Sequence, residues 1–540
     1  MPFFPESVYA SVFLLILPWP LLAIGILSFF GLEQRLALLK KMMVPAASFA
    51  LAAAALGMFS FELGSSRSVT FFSLPLPENL GAVEVRVGVN PLTLVIAFLV
   101  AFVGLAVVRF SVRYLEGDPG EGRFYRWLTL TLGFFFTMVV VDNMWAFFLS
   151  WVTMTLCFQS LLNFYPERPK ARLASRKKFL LDRLSDVLLF GAFLLIVRTL
   201  HTDHFSGLSS AISAHSGALS SSLSAAGLLI IAVTLLKSAQ FPFQGWLIQV
   251  MEAPTPVSAL MHAGIIYTGT ILYLRCLPLV SSQVIGRDLL IGFGLMTVVV
   301  GALAMMIANN IKESLAYSTS AQIGFMLIEC GLGVMAVAVM HIIAHSVYKA
   351  HAFLSSGSVT EFYRGPQLRL LPKTGGPPAR ILPALGTGLL VAMAGAWIFG
   401  IEIKRQPALL LLGMILSVAL ARLLLTGLSA GTRSRLPLLV PAFGLATTVA
   451  LAAFGLHRLF DGFLDGSIPS PPLPSTPVQF GILAIVAGTF LWLLWVEESL
   501  PARGGRPFWK RAYVHCGRGF YSDVLLDRLL EGRRHREPGR

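Results

Sequence analysis

Five lysines and histidines inside long apolar runs are the residues whose types and spacing best suit proton chemistry. They are Lys237, His262, His341, His345 and Lys349. The last three follow one another at intervals of four, so in a helix they share one face. Histidine exchanges protons near neutral pH, and ionisable groups inside a bilayer are costly and usually line an ion path. The pattern therefore predicts a proton path within a membrane.

Each of these residues also has a purely structural interpretation. Lys237 could extend its aliphatic stem to the membrane surface, and the histidines could only hydrogen-bond a neighbouring helix. His341 and His345 form a His-x-x-x-His pair that can bind zinc, but the sequence supplies no HExxH glutamate and no third ligand nearby. His351 lies about 160° round the helix from Lys349 and is predicted to be outside the path. Proton transfer is the chemistry we expect.

Prolines indicate where the helices that carry Lys237 and His262 break or begin. Pro242 lacks a backbone donor, so we expect the first helix to break about one turn after Lys237. A lysine beside the free carbonyl groups of a broken helix suits a site that holds and releases a proton. Pro254 and Pro256 predict the start of the helix that carries His262.

Five further charged residues are candidates for the same path: Asp142, Arg183, Asp186, Glu252 and Lys312. All except Glu252 are predicted at helix ends, where they either form buried ion pairs or only anchor the helices at the membrane surface. Glu252 is predicted close to a membrane surface, as a carboxylate at the proton entrance or as an ordinary surface acid. Glu329 is assigned no role.

The composition places these residues in a membrane protein. Of 540 residues, 56% are hydrophobic and 13% are charged, roughly half the usual charged share of about 25% in soluble domains. Apolar runs predict an all-α polytopic membrane protein of about fifteen transmembrane helices. Their centres lie near residues 18, 52, 100, 133, 154, 192, 231, 267, 297, 322, 343, 391, 418, 447 and 487. No basic region precedes the first run, so we expect a membrane helix there and not a cleavable signal.

The basic residues predict how the chain is oriented. With the N-terminus outside, 31 of the 42 lysines and arginines fall in the segments assigned to the inside, seven fall outside and four lie within helices. This asymmetry obeys the positive-inside rule and predicts a cytoplasmic C-terminus. It also explains the net charge of +15 without nucleic acid.

Other classes of site receive no support from the sequence. The four cysteines are far apart, and neither a GxGxxG after a strand nor a GxxxxGK[ST] occurs, so we expect no cofactor and no metal in this chain. Outside the helices, the alternation over residues 81–87 predicts a β-hairpin on the outer face. Residues 468–477 read as a loop, and residues 519–530 of the basic tail predict an amphipathic helix for the membrane surface or a partner.

Three segments resemble the antiporter-like proton-translocating subunits of respiratory complex I and the Mrp antiporters, especially the NuoL type. They run from Tyr114 to Trp151, from Lys237 through Pro242 to His262, and from Ile311 through His341 to Ser358. The resemblance implies two inverted five-helix repeats with broken helices, and it gives roles in the path to the five residues above and to the pair Arg183 and Asp186. It divides the chain into N-terminal helices (1–110), a first repeat (111–278), a second repeat (279–436), C-terminal helices (437–496) and a basic cytoplasmic tail (497–540).

Three departures from the family indicate a branch. The family has a glutamate after the tryptophan at position 151, where this chain has Val152, and residues 382–405 hold no family lysine, with Lys404 only a loose candidate. The tail from Glu497 is too short for the long lateral helix of NuoL-type subunits. These features resemble the membrane subunit of two-part bacterial inorganic-carbon pumps, whose partner resembles a zinc β-carbonic anhydrase.

The resemblance to that branch implies a subunit of the bacterial inner membrane that conducts protons or Na⁺ and has no catalytic site. It would couple the ion gradient to hydration of CO2 and accumulation of bicarbonate, with zinc only in the partner. Two alternatives stay open: a proton-pumping subunit of an NADH–quinone oxidoreductase or an Mrp-type cation/proton antiporter, and an ion-inactive membrane anchor for a partner.

Overall fold

The fold is almost entirely helical over the residues that the computed structural model describes. These are residues 6–61, 67–75, 82–214, 219–308, 310–357, 381–400, 407–429, 436–464, 477–503, 507–517 and 519–521. Lys404, most of the predicted loop at 468–477 and the predicted tail helix beyond Tyr521 lie outside them.

The described residues of the first half form ten α-helices, with a β-hairpin between the third and the fourth. They are α1 (Glu6–Ile16), α2 (Trp19–Phe29), α3 (Leu36–Phe59), α4 (Pro91–Tyr114), α5 (Glu121–Val140), α6 (Met144–Leu162), α7 (Pro169–Leu200), α8 (Leu208–Ala214), α9 (Ser221–Lys237) and α10 (Gly245–Gln249). Strands β1 (Arg67–Pro75) and β2 (Ala82–Val89) pair antiparallel, from Arg67 opposite Val89 to Pro75 opposite Ala82. The predicted hairpin is therefore confirmed.

The helices of the second half continue the bundle. They are α11 (Thr255–Ala263), α12 (Thr268–Arg275), α13 (Leu277–Val280), α14 (Val284–Ile307), α15 (Ile311–Gly331), α16 (Met335–Leu354), α17 (Ile381–Ile398), α18 (Pro407–Ser429), α19 (Leu436–Leu464), α20 (Pro477–Arg503) and α21 (Pro507–Gly517).

The predicted membrane helices are found in the described residues. Within the described ranges, nine segments are long and apolar enough to cross a membrane: Tyr9–Phe29, Leu36–Phe59, Pro91–Tyr114, Met144–Leu162, Thr255–Arg275, Val284–Ile307, Met335–Leu354, Val440–Leu464 and Pro477–Glu497. The other predicted centres lie on α5, α7, α9, α15, α17 and α18. The first predicted helix is divided at Pro18, because Pro18 and Pro20 cannot donate the hydrogen bonds that would continue it.

Helix α7 corrects one prediction, because Arg183 and Asp186 lie in its interior and not at helix ends. The helix has 32 residues, or about 48 Å at 1.5 Å per residue, and so exceeds the roughly 30 Å hydrocarbon core. Its charged residues form ion pairs with each other and with α9, and lysine and arginine are good helix formers. The basic segment assigned to a loop is therefore the first half of a helix.

Two broken helices meet at the centre of the molecule. Helix α9 ends at Lys237, so the predicted break is confirmed but begins at the lysine and not one turn later. Hydroxyl groups bind the backbone of the broken segment, since the Phe241 amide donates to Thr297 Oγ1 at 3.0 Å and Ser320 donates to the Ala239 carbonyl. The second break separates α11 from α12 at Gly264, and this helix pair is buried throughout.

Segments assigned to the same side of the membrane contact each other. On the predicted outer side, Val87 of the hairpin pairs with Val141, and Asn143 pairs with His204. On the predicted inner side, Arg168 contacts Glu252, and Lys312 donates to Thr255. The contacts therefore agree with the alternation that the basic residues predict.

Candidate functional site

Lys237 lies in a buried cluster of charges between α7 and α9. Its ammonium nitrogen is 2.7 Å from Asp182 Oδ1 and 3.9 Å from Asp186 Oδ1. Asp182 also accepts a hydrogen bond of 2.5 Å from Lys178, one helical turn earlier. Lys178, Asp182 and Lys237 have side chains at most 5% exposed. Lys237 therefore does not extend to the membrane surface, and Asp182 is its nearest counter-ion.

Trp151 and Arg183 complete the cluster around Asp186. The Trp151 indole donates to Asp186 Oδ1 at 3.0 Å, while the Lys237 ammonium lies 4.7 Å from the centre of the indole ring. Arg183 forms an ion pair of 2.9 Å with Asp186 Oδ2, on the same helix. The tryptophan thus orients one carboxylate and faces the lysine.

The formal charge of this cluster favours proton exchange. With all five groups ionised, three cations (Lys178, Arg183 and Lys237) face two carboxylates (Asp182 and Asp186), so the net charge is +1. Loss of one proton from Lys237 makes the set neutral. Burial strengthens such interactions and penalises net charge, so the cluster can hold Lys237 in either protonation state. Lys237 also ends α9, where the free carbonyl groups stabilise a cation.

The histidines form a second cluster, where α11 packs against α16. The Tyr267 hydroxyl contacts Nδ1 of His345 and donates a hydrogen bond of 3.2 Å to the His262 carbonyl. The His262 ring is fully buried and stacks on Phe353, with 4.3 Å between ring centres. Tyr267 therefore joins the two histidines, through the ring of one and the backbone of the other.

Lys349 is a fully buried lysine in the second cluster. Among the described residues, its ammonium has one hydrogen-bond acceptor, the Leu315 carbonyl oxygen at 2.8 Å, and it forms no ion pair. A buried ammonium without a carboxylate is unfavourable, and release of its proton relieves the penalty. Lys349 is thus suited to transient protonation.

His341 begins the row on α16 and is bound on both sides. Its Nδ1 lies 3.1 Å from Glu329 Oε2, and its Nε2 lies 2.9 Å from Gln322 Oε1. Both ring nitrogens face oxygen acceptors, which a doubly protonated imidazolium satisfies. Glu329, to which the sequence assigned no role, is almost fully buried and is the carboxylate partner of His341.

The two clusters approach each other where α9 meets α12. A Cβ atom at Gly269 would lie 2.8 Å from the Thr234 carbonyl oxygen and 3.2 Å from Lys237 Cβ. Thr234 also donates to the Gly269 carbonyl at 3.2 Å. Gly269 follows Tyr267 by two residues, so the end of α9 packs beside the turn that binds His345. The five residues of the predicted path therefore lie in two clusters that approach each other at Gly269.

Three of the other candidates lie away from both clusters. Asp142 binds Ser206 on the predicted outer side, accepting from its amide at 3.0 Å and from its hydroxyl at 2.5 Å. Glu252 is half-exposed beside Arg168, with 3.6 Å between charged atoms. Lys312 donates to Thr255 at 3.2 Å on the predicted inner side. Arg183 and Asp186 form an ion pair with each other. Asp142 and Lys312 form no ion pair with Arg183 or Asp186 in the described part of the chain.

Sequence reasoning missed four members of the clusters: Lys178, Asp182, Tyr267 and Glu329. A signal exists for the first two, because Lys178, Asp182 and Asp186 follow at intervals of four and share one face of α7. Tyr267 lies in the turn between α11 and α12 and Glu329 lies on α15, and only the tertiary structure defines the residues that they contact.

The structure gives no support to a zinc site on α16. Both nitrogens of His341 face Glu329 and Gln322, and Nδ1 of His345 contacts Tyr267. Among the described residues, no three His, Cys, Asp or Glu side chains converge in a way that could hold a metal ion. Polar partners of this kind fix imidazoles for hydrogen bonding and proton exchange.

The chain matches two protein-family models. One, described as NADH:quinone oxidoreductase/Mrp antiporter, covers residues 141–400. The other, described as the N-terminus of NADH-ubiquinone oxidoreductase (complex I) chain 5, covers residues 79–125. Both clusters lie within the first match.

A solved structure has the same fold. A chain in the structure of the Mrp complex from Dietzia sp. DQ12-45-1b aligns with 97% of this chain and 60% of its own length, with a TM-score of 0.60 and 23% sequence identity. This similarity confirms an antiporter-like, all-α polytopic membrane fold.

Relatives of higher identity define the branch. The chain is 41% identical over 280 residues to the probable inorganic carbon transporter subunit DabB of Hydrogenovibrio crunogenus, across 51% of this chain and 53% of that protein. It is 38% identical over 480 residues to the probable inorganic carbon transporter subunit DabB2 of Halothiobacillus neapolitanus, across 88% of this chain and 85% of that protein. The chain therefore belongs to the DabB family of inorganic carbon transporter subunits, within the antiporter-like proteins of complex I and Mrp complexes.

Proposed function

We propose that this chain conducts protons through the membrane and couples their flow to a partner that hydrates CO2, so that bicarbonate accumulates. The observation that carries the proposal is the buried cluster of Lys237, Asp182 and Asp186 at the end of a broken helix. A lysine with two carboxylates and a net charge that changes with one proton is suited to accept and release that proton.

In this mechanism the proton passes between the two clusters. Lys237 exchanges it with the α16 row across the junction at Gly269, where Tyr267 contacts His345. Ser238 Oγ and Thr270 Oγ1 near this junction are buried and have no hydrogen-bond partner in the described part of the chain. Buried hydroxyls are costly unless hydrogen-bonded, so they suit a short file of water that joins the clusters.

The coupling partner is proposed from the family. Relatives named as inorganic carbon transporter subunits match over as much as 88% of the chain. We infer a hetero-oligomer with a DabA-like subunit that resembles a zinc carbonic anhydrase, which holds the zinc and performs the chemistry. The chain itself has no catalytic role, and it lies in the bacterial inner membrane with its N-terminus outside and its C-terminus cytoplasmic, as the distribution of lysine and arginine supports.

Affinity purification of the tagged chain from its membranes tests the partnership. We expect a large soluble protein with zinc ligands to co-purify. Growth at air-level CO2 should be lost in Lys237→Ala but kept in the control variant His351→Phe, because His351 is exposed. Full growth of Lys237→Ala would instead identify an ion-inactive anchor. Replacing Na⁺ by a larger cation should leave growth unchanged if protons are the coupling ion.

A second candidate function is favoured by the family matches themselves. Their descriptions name complex I and the Mrp antiporter, so the chain is alternatively a NuoL-like proton-pumping subunit of an NADH–quinone oxidoreductase, or an Mrp-type cation/proton antiporter subunit. Co-purification of quinone-reductase or further antiporter subunits, and no carbonic-anhydrase-like protein, would establish this candidate and exclude the first.

A further inference from the structure

A cavity adjoins the histidine cluster at Glu329 and His341 and extends beyond it to ionisable residues that neither cluster includes. The cavity has a volume of about 580 Å³ and is lined by residues of α14, α15, α16, α18, α19 and α20. Its lining follows α15 from Ser318 to Glu329, eleven residues or about 16 Å along the helix axis. It therefore extends through roughly half of a hydrocarbon core of about 30 Å.

Four ionisable side chains line this cavity. Glu329 and His341 belong to α15 and α16, while His457 belongs to α19 and Glu497 to α20. His457 Nδ1 is buried and has no hydrogen-bond partner among the described residues. Most of the remaining lining is aliphatic or aromatic. Ionisable groups are expensive in such surroundings, so four of them around one cavity indicate an ion path.

The neighbouring helix cannot supply this path. Helix α17 lies in the region where the antiporter-like family carries a lysine, but here it has no ionisable side chain. Among the described helices after α16, α19 and α20 are the ones that present ionisable side chains to the cavity. A proton that reaches His341 therefore meets its next acceptors on these two helices.

We propose that this cavity is the exit segment of the proton path and that His457 and Glu497 are its proton acceptors. The inference rests on the proton conduction proposed above. The imidazolium of His341 releases its proton to water in the cavity, and the free Nδ1 of His457 binds it. His457 then passes it to the Glu497 carboxylate, which releases it at the end of the membrane segment Pro477–Glu497.

Proton flux through the purified complex in proteoliposomes, under an imposed potential, tests the assignment. We expect His457→Phe, His457→Gln and Glu497→Gln each to lower the flux at least about tenfold, since loss of a proton-transfer group typically costs 10²–10⁴-fold. Glu497→Asp keeps the carboxylate and should restore most of the flux. His351→Phe is the matched histidine control, because His351 is exposed on α16. Size-exclusion profiles confirm that each variant is folded.

Water access to the cavity is tested independently of flux. Ala453 lines the cavity, so we expect Ala453→Cys to react with a small hydrophilic thiol reagent above the background of the four native cysteines, which are buried. Absence of labelling would show that lipid fills the cavity and would overturn the proposal.

The flux results separate this inference from the proposed function. Wild-type flux in the His457 and Glu497 variants, with flux lost in Lys237→Ala, would refute the exit path while proton conduction stands. Wild-type flux in Lys237→Ala as well would refute both.

Discussion

Replacing Asp182 by asparagine is the most direct test of how the Lys237 cluster works. The substitution keeps the size of the side chain but removes the charge that lies 2.7 Å from Lys237 and 2.5 Å from Lys178. The formal charge of the cluster then rises from +1 to +2 in a buried site. We expect Lys237 to lose its proton and conduction to fall.

The distances set the size of the effect. At an effective dielectric constant of about 20, opposite charges attract by about 6 kcal/mol at 2.7 Å and about 4 kcal/mol at 3.9 Å. Desolvation offsets part of this energy, and loss of one partner of a buried pair typically costs about 3–5 kcal/mol. That cost corresponds to a factor of roughly 10² to 5 × 10³ in the proton occupancy of Lys237. Asp186→Asn should have the smaller effect, because its carboxylate is the more distant.

Proton flux into proteoliposomes, measured with an entrapped pH-sensitive dye at equal amounts of folded protein, is the assay. We expect a loss of about 100-fold for Asp182→Asn, partial recovery in Asp182→Glu, and wild-type flux for Asp288→Asn, an exposed acid on α14. Wild-type flux in Asp182→Asn would refute the assignment of Asp182 as the counter-ion on which Lys237 depends.

Three further predictions address the junction, the histidine cluster and the predicted outer face. Gly269→Val should displace Lys237 and lower the proton flux at least about tenfold in the same assay, because a Cβ atom at this position would lie 2.8 Å from the Thr234 carbonyl oxygen. An unchanged flux would argue against a tight junction between the clusters. Tyr267→Phe removes the hydroxyl that contacts His345, and flux should fall with unchanged helical content by circular dichroism; equal flux would exclude Tyr267 from the path. On the predicted outer face, the hydrogen bond with Asp203 raises the pKa of His204 above its ordinary value of about 6.5 and lowers that of Asp203. The stability that protonated His204 contributes is therefore complete below about pH 6.5 and is lost as the pH rises through the raised pKa. The thermal unfolding temperature of the wild type should fall over that range. The same pH dependence of the unfolding temperature in His204→Gln would contradict this assignment.

Much of the architecture follows from the sequence for simple physical reasons. A bilayer requires about 20 apolar residues for each crossing, so the runs predict the helices, and Pro242 predicts the break near Lys237 because it lacks a donor. The alternation over residues 81–87 predicted the hairpin, and the spacing of four placed His341, His345 and Lys349 on one helix. These features depend only on neighbours along the chain.

The pairing of charges could not be predicted in the same way. The sequence showed that Val152 stands where the family has a glutamate, but not that Asp182 on α7 lies against Lys237 on α9, 55 residues later. The sequence predicts Arg183 and Asp186 at helix ends, whereas α7 continues through them because its charges are paired. Nothing in the sequence indicates that Glu329 on α15 lies beside His341 on α16.

The sequence by itself therefore determined the membrane class, the helices, the hairpin and the lysines and histidines that suit proton transfer, because hydrophobicity and helical spacing are local properties. Only the tertiary structure decided that these residues form two clusters, that Asp182, Tyr267 and Glu329 complete them, and that a cavity beyond His341 is faced by His457 and Glu497. Counter-ions and cavities arise from the packing of distant helices, and their electrostatic energies depend on distances of a few ångströms that spacing along the chain does not encode.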